Sequence, residues 1–205
     1  MYTIKTICVM AALAFTLNSS RANAQAFEQG RSVISAGYGL GNFTQAVFKA
    51  FETEAYEDFK YKGIGPFFLK YEYAISDKVG IGLNYAYIGA KVSYEEPSRQ
   101  VSPGVNYKQE IKFSSMSFLP RLNFHFGTSE KVDPYFGFGI GYRTASYAYS
   151  DNDPNYDNDE KINSLNPFGM DLTIGARFFF TESIGAYLEA GMAKGIIQFG
   201  LSAKM

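Results

Sequence analysis

Residues 65–87, GPFFLKYEYAISDKVGIGLNYAY, contain two stretches in which bulky side chains alternate with small or polar ones. The bulky parity is Phe67, Leu69, Tyr71, Tyr73 and Ile75 in the first stretch and Val79, Ile81, Leu83, Tyr85 and Tyr87 in the second. Successive side chains of a strand point to opposite faces, so this period of two predicts strands with one bulky apolar face. Ser76, Asp77 and Lys78 separate the stretches and predict a tight hairpin turn.

The same alternation recurs along the rest of the chain. The eight predicted strands cover 33–40, 65–76, 79–87, a strand that ends at Phe126, 134–143, 168–180, 184–191 and 197–205. An even number of alternating strands predicts an all-β fold, an eight-stranded antiparallel up-and-down transmembrane β-barrel. Beyond residue 24 no stretch of about 18 residues is both apolar and uncharged, which excludes a transmembrane helix.

The connections between these strands alternate in length. Those at 41–62, 94–106, 150–166 and 191–195 are mostly long and polar, whereas those at 76–78, 127–133 and 181–183 are short. Outer-membrane barrels have long loops outside the cell and short turns in the periplasm. We therefore expect both chain ends on the periplasmic side.

A soluble barrel of the lipocalin type would show the same alternation, with its bulky residues inside. The second parity is rich in glycine, which suits a crowded lumen better than a solvated exterior. A bulky face in water would also form an apolar belt far larger than soluble proteins expose. The membrane interpretation is therefore favoured.

The first 24 residues predict a cleaved signal peptide. Lys5 precedes a short apolar run, 7–17, and Ala22-Asn23-Ala24 supplies an A-x-A cleavage site. The apolar run is too short to span a bilayer. The predicted division is a signal peptide over 1–24 and an outer-membrane barrel domain over 25–205.

Composition excludes several classes of function. The 19 basic and 20 acidic residues nearly balance, so the chain lacks the basic surface of a nucleic-acid-binding protein. One Cys and one His exclude a disulfide framework and a His/Cys-rich metal site. No glycine-rich segment follows a strand and opens a helix, so no phosphate-binding cofactor loop is predicted.

The signal peptide, the eight alternating strands and the last strand, 197–205 (IQFGLSAKM), resemble the small OmpA/OmpX-type outer-membrane barrels. The resemblance covers the whole mature chain. It implies contact with outer-membrane lipid and lipopolysaccharide, insertion by the barrel-assembly machinery of a Gram-negative-type bacterium, and a monomer. In that family the last strand usually ends in an aromatic residue, and here Met205 occupies that place.

The glycine-rich parity also carries charges that should face the lumen. They are Lys70, Glu72, Arg121, Arg143, Asp171, Arg177 and Glu189. Charges in a narrow interior must pair, and strand positions suggest pairs of Arg143 with Asp171 and of Arg177 with Glu189. The network is either a plug that fills the barrel or part of an ion-selective path or ligand site; the plug is favoured because eight strands leave room for little more than side chains.

Catalysis has weak support in the sequence. The only histidine, His125, lies beside a predicted periplasmic turn, whereas enzymes on this scaffold place their catalytic groups at the outer rim. Acidic residues in the long connections leave a carboxylate dyad open: Glu95, Glu96, Asp157, Asp159 and Glu160.

Two long connections suggest further features. The segment 151–160 is rich in oxygen ligands, but Tyr156 and Ile162 occupy the positions where a calcium loop of the EF-hand type needs Gly and Glu. A solvated acidic loop is favoured there, with weak divalent binding left open. Residues 43–55 show helical spacing of apolar side chains, so an amphipathic helix and protruding extended strands are both possible.

The sequence therefore predicts a non-catalytic outer-membrane barrel with a structural or surface-interaction role in the cell envelope. A barrel that binds or conducts a small solute is the alternative. A lipid-modifying enzyme is a third possibility. No metal or cofactor is predicted.

Overall fold

The computed structural model describes residues 26–41, 57–154, 160–164 and 167–205. These ranges contain strands and no helix. The strands are β1 (Ser32–Leu40), β2 (Glu57–Ser76), β3 (Val79–Ser102), β4 (Val105–His125), β5 (Val132–Asp151), β6 (Glu160–Asn163), β7 (Phe168–Phe179), β8 (Ile184–Met192) and β9 (Ile197–Lys204). None of the described residues belongs to a helix long and apolar enough to cross a membrane.

The strands form one closed antiparallel sheet. β1 pairs with both β2 and β9, and β4 pairs with both β3 and β5, so the sheet returns to its own first strand. The short β6 and the longer β7 both pair with β5 and occupy successive parts of one position in the wall. The barrel therefore has eight strand positions, and the predicted fold class is confirmed.

The alternation of side chains divides the two faces of the wall. Bulky residues of the predicted apolar parity are exposed on the outside, with Phe67, Leu69, Phe118 and Ile174 between 43% and 58% accessible. Small and polar residues of the other parity are buried inside. An exposed apolar belt of this extent is the lipid-facing surface of a membrane barrel rather than the surface of a soluble one.

The barrel is much taller on one side than on the other. β2, β3, β4 and β5 are 20 to 24 residues long, whereas β8 and β9 have nine and eight. Crossing a membrane takes only about 9–11 residues of strand. The long strands therefore continue beyond the membrane as a protruding sheet at what we call the long-hairpin end.

Part of the loop prediction was therefore wrong. Residues 94–106 are mostly strand, because β3 continues to Ser102 and β4 begins at Val105 after a turn at Gly104 with φ +77°. The outer face of this hairpin is polar and its charges pair, as between Nζ of Lys108 and Oε1 of Glu95 at 2.6 Å. Polar strands outside a membrane lose the apolar alternation on which the prediction depended.

The opposite end has short connections and is called the short-turn end. The two chain ends of the barrel meet there, where Ser32 N donates to Met205 O at 3.0 Å. The predicted signal peptide, the apolar spacing over 43–55 and the acids Asp157 and Asp159 lie outside the described residues. Glu160 begins β6.

Candidate functional site

The inward parity of the strands fills the lumen with charged side chains. Among the described residues four carboxylic acids and four basic side chains are buried there. They are Glu72, Asp133, Asp171 and Glu189 together with Lys70, Arg121, His125 and Arg177. Charges taken out of water are tolerated only when they are paired and hydrogen bonded, so their arrangement decides what the lumen can do.

Four of these residues form the short-turn cluster: Glu72, His125, Asp133 and Arg177. Arg177 pairs with Glu72 and also with Asp133, at 3.1 Å between Nη1 and Oδ2. His125 lies 2.6 Å from Asp133 through Nδ1 and 2.7 Å from Glu72 through Nε2. Because an ionised carboxylate only accepts hydrogen bonds, both ring nitrogens donate and the imidazole is cationic. The cluster then carries no net charge.

Glu189 is the centre of a second group, the mid-lumen cluster, with Lys70, Arg121 and Tyr135. Its Oε2 lies 2.8 Å from Nζ of Lys70 and 3.2 Å from Nη2 of Arg121. Its Oε1 accepts a 2.6 Å hydrogen bond from the hydroxyl of Tyr135. Lys70 also donates to Gln198 at 2.8 Å. Both oxygens of this carboxylate therefore accept hydrogen bonds from buried donors.

Asp171 supplies the fourth buried acid. Its Oδ2 accepts a 2.6 Å hydrogen bond from Nδ2 of Asn84. Arg121 extends the network on the other side, with Nη2 2.5 Å from the hydroxyl of Thr173 and Nε 2.8 Å from Oδ1 of Asn123. With Asp171 included, the charges of Lys70, Arg121 and Glu189 also sum to zero.

Glycines on neighbouring strands make room for these large side chains. A Cβ at Gly175 would lie 2.5 Å from Cγ of Glu189, and one at Gly139 would lie 2.7 Å from Oδ1 of Asp171. A Cβ at Gly80 or Gly137 would collide with Glu72 or Arg121. The glycine-rich parity therefore complements the charged network, because four of the charged side chains fold over a glycine.

The N-terminal residues of the described chain close the short-turn end. The ring of Phe27 stacks on His125 with centroids 3.5 Å apart and an interplanar angle of 6°. Ala26 N donates to Ser129 O at 2.9 Å. Ala26 and Phe27 are both buried, at 2% and 3% accessibility.

On the long-hairpin side of the mid-lumen cluster, the side chains leave little space in the lumen. A void of about 10 Å³ lies among side chains that include Phe68, Leu119, Asp171 and Lys194. That volume admits at most about one water molecule. Lys194 Nζ reaches across to Ser115 Oγ at 2.5 Å.

The structure brings together six of the seven predicted lumen residues and pairs them differently from the prediction. Arg177 bonds Glu72 and Asp133 rather than Glu189, which bonds Lys70 and Arg121. Glu72, Lys70 and Arg121 reach these partners across the narrow lumen from strands that are not neighbours. Asp133 lies directly opposite Arg177 on the neighbouring β5, in a segment that the prediction assigned to a connection.

Arg143 is the seventh residue, and it lines the same small void as Asp171 without pairing with it. It is opposite Ser117 on β4, whereas Asp171 on β7 is opposite Gly139 of β5, four residues nearer the short-turn end. Arg143 is exposed near the long-hairpin end and forms no ion pair with a described residue. The predicted Arg143–Asp171 pair was therefore wrong.

Sequence reasoning missed several network members. Asp133 was assigned to a connection, although it shares the inward parity of Tyr135 and Gly137. His125 was considered only as a catalytic base. Lys194 lies between β8 and β9, where no strand periodicity signals its direction.

The candidate catalytic and calcium-binding acids have other partners. Glu95 pairs with Lys108, and Asp153 pairs with Arg99 at 3.6 Å. Asp151 accepts a 3.0 Å hydrogen bond from Tyr107, and burial together with Asp151 raises the pKa of that tyrosine. Within the described part of the chain no three His, Cys, Asp or Glu side chains are grouped to hold a metal ion.

Comparison with known proteins agrees with this architecture. Residues 10–198 match the family model described as the outer membrane protein beta-barrel domain. The chain belongs to this family. Membership places this beta-barrel protein in the outer membrane.

The chain is also similar to solved structures of outer-membrane proteins. Ail of Yersinia pestis, in complex with the heparin analogue sucrose octasulfate, is 17% identical with a TM-score of 0.44, covering 86% of this chain and 99% of Ail. OprG of Pseudomonas aeruginosa is 13% identical with a TM-score of 0.44, covering 89% of this chain and 99% of that one. The N-terminal barrel of Pseudomonas aeruginosa OprF is 14% identical with a TM-score of 0.41, covering 87% and 98%. No curated protein sequence matches the chain.

Proposed function

We propose that this outer-membrane barrel is a sealed, non-catalytic envelope protein that acts through its surface rather than through its lumen. One observation carries the proposal: the four acidic and four basic side chains buried in the lumen sum to no net charge, and all of them except Asp171 take part in ion pairs across it. A conducting lumen needs mobile water and unpaired polar groups along its length. Phe27 at the short-turn end and the small void near Lys194 support the same conclusion.

The proposal assigns the long-hairpin end to the outside of the cell. Long connections are extracellular and short turns periplasmic in barrels of this class. The protruding sheet of β2, β3, β4 and β5 is then the largest feature that the protein presents outside the membrane. Its outer face carries charged residues and is suited to surface interaction.

The biosynthetic part of the proposal is export with removal of residues 1–24, insertion by the barrel-assembly machinery and residence as a monomer among outer-membrane lipids and lipopolysaccharide. Mass spectrometry of the protein isolated from outer membranes tests the processing, with Gln25 expected as the first residue. Protein that retains Met1 would refute it.

Liposome swelling tests the proposed function. Vesicles that contain the purified protein should exclude small sugars and amino acids as well as protein-free vesicles do. A swelling rate that rises with the amount of protein would refute the sealed lumen and favour the alternative of a solute-conducting barrel. Lipid A that differs in acylation between cells with and without the protein would refute the non-catalytic part.

A further inference from the structure

A row of lysines crosses the outer face of the wall at the base of the protruding sheet. Lys62 of β2 is paired in register with Lys91 of β3, and Lys91 is paired with Lys112 of β4. Lys112 is opposite Ala148 of β5, which is opposite Lys161 of β6. Four lysines therefore lie at one level on five neighbouring strands, all exposed on the outward parity. We call them the lysine row.

The two rows below the lysine row change from polar to apolar. The first contains Ile64, Gly89, Ser114, Ser146 and Asn163, and the second contains Phe67, Tyr87, Met116 and Thr144. Strand geometry puts the lysine row about 14 Å above the second row on β3, since the two are four residues apart. Cations, hydroxyls and exposed apolar side chains thus follow one another down the same outward surface.

The wall is indented where these rows meet. An open cleft of about 970 Å³ is lined by residues of all three rows, among them Lys91, Lys112, Gly89 and Tyr87. The middle row contains the small residues Gly89, Ser114 and Ser146. The side chain of Ile64 leans over Gly89, where a Cβ would lie 3.1 Å from Cγ2 of Ile64.

The charges of the lysine row are only partly compensated. Glu110, one row further from the membrane, pairs with Lys91 and with Lys112, the latter at 3.1 Å. The hydrogen bond from Lys91 lowers the pKa of this carboxyl. Lys62 and Lys161 form no ion pair with any described residue. Like charges directly opposite one another in a sheet are destabilising, so the row is arranged for an anion rather than for stability of the sheet.

From this arrangement we propose that the cleft binds the phosphorylated headgroup of an outer-leaflet glycolipid. The phosphates lie along the lysine row, the sugar faces the hydroxyls of Ser114 and Ser146, and acyl chains run down over Tyr87 and Met116. A lipid is favoured over a soluble polyanion because the cleft continues directly into the apolar belt. The inference rests on the extracellular assignment of the long-hairpin end, and it names the partner of that surface.

Binding of labelled bisphosphorylated lipid A to the full chain in neutral detergent micelles tests the proposal. The wild type should bind it at least about tenfold more tightly than dephosphorylated lipid A, because charge-assisted contacts to phosphate are lost in the latter and tenfold is about 1.4 kcal/mol. The variant K62Q/K91Q/K112Q/K161Q should lose this preference. E110Q should bind more tightly than the wild type, since it releases Lys91 and Lys112.

The control variant removes the same number of positive charges elsewhere. R31Q/K78Q/K108Q/K131Q changes exposed residues outside the lysine row and should retain the preference for the phosphorylated lipid. Equal loss in both variants would overturn the proposal, because it would show a response to net charge alone. Inorganic phosphate and dextran sulfate are then added as competitors, at a concentration of phosphate or sulfate groups equal to that of the lipid A phosphates. Loss of lipid A binding under these conditions would also overturn the proposal, in favour of a soluble anion.

Liposome swelling by the same variants separates this inference from the proposed function. A sealed barrel that shows no preference for phosphorylated lipid A refutes the cleft and leaves the sealed lumen intact. A swelling-competent wild type refutes the sealed lumen regardless of lipid binding.

Discussion

Replacing Glu189 by Gln is the most informative single change in the lumen. The substitution keeps the shape of the side chain but removes the charge that Lys70 and Arg121 share, at 2.8 and 3.2 Å. The carboxylate is 1% accessible, so water does not compensate the two cations that remain. Breaking a buried ion pair from one side costs about 3–5 kcal/mol, and we expect E189Q to lower the free energy of unfolding by that amount.

The assay is urea-induced unfolding in lipid vesicles, followed by circular dichroism. E95Q is the matched control, because its partner Lys108 has a 58% accessible side chain and exposed pairs contribute only about 0.2–1 kcal/mol. The double variant E189Q/K70Q should recover part of the loss, since it removes one of the two orphaned cations. An effect of E189Q no larger than that of E95Q would refute the buried network.

Three further predictions concern the lumen, the lipid face and the protruding sheet. G175A should destabilise the barrel by about 1–3 kcal/mol in the same unfolding assay, because its Cβ would lie 2.5 Å from Cγ of Glu189. An unchanged stability would show that the space between residue 175 and Glu189 can accommodate a methyl group. I140R, on the exposed outer face, should cost about 2–4 kcal/mol in vesicles if that face meets hydrocarbon, and a negligible cost would show that it meets water. The hydrogen bond from Lys91 lowers the pKa of Glu110, so the stability that Glu110 contributes should be present above the carboxyl pKa of the unfolded chain and be lost as pH falls through the pKa of the folded protein. K91Q should raise the pKa of Glu110 in an NMR titration. An unchanged pKa would refute the pairing.

The alternation of side chains was sufficient to predict the barrel, the number of strand positions and the face that meets lipid. It works because a strand in a membrane must place apolar groups outside and small or polar groups inside at every second residue. Six lumen charges followed from the same parity.

The alternation could not predict which charged side chains pair across the lumen. The pair of Arg177 with Glu72 depends on the tilt and closure of the whole barrel, which bring Glu72 of β2 within reach although β2 is not a neighbour of β7. Alternation within one strand carries no information about that approach. The protruding sheet was missed for a related reason, since strands such as β3 lose their apolar parity once they leave the membrane.

Single-channel recording in planar bilayers tests the sealed lumen most directly. The purified wild type should show no steady conductance, because the short-turn and mid-lumen clusters occupy the path. E189Q, which leaves Lys70 and Arg121 without their shared carboxylate, should show brief and unstable openings. A large, steady wild-type conductance would contradict the account.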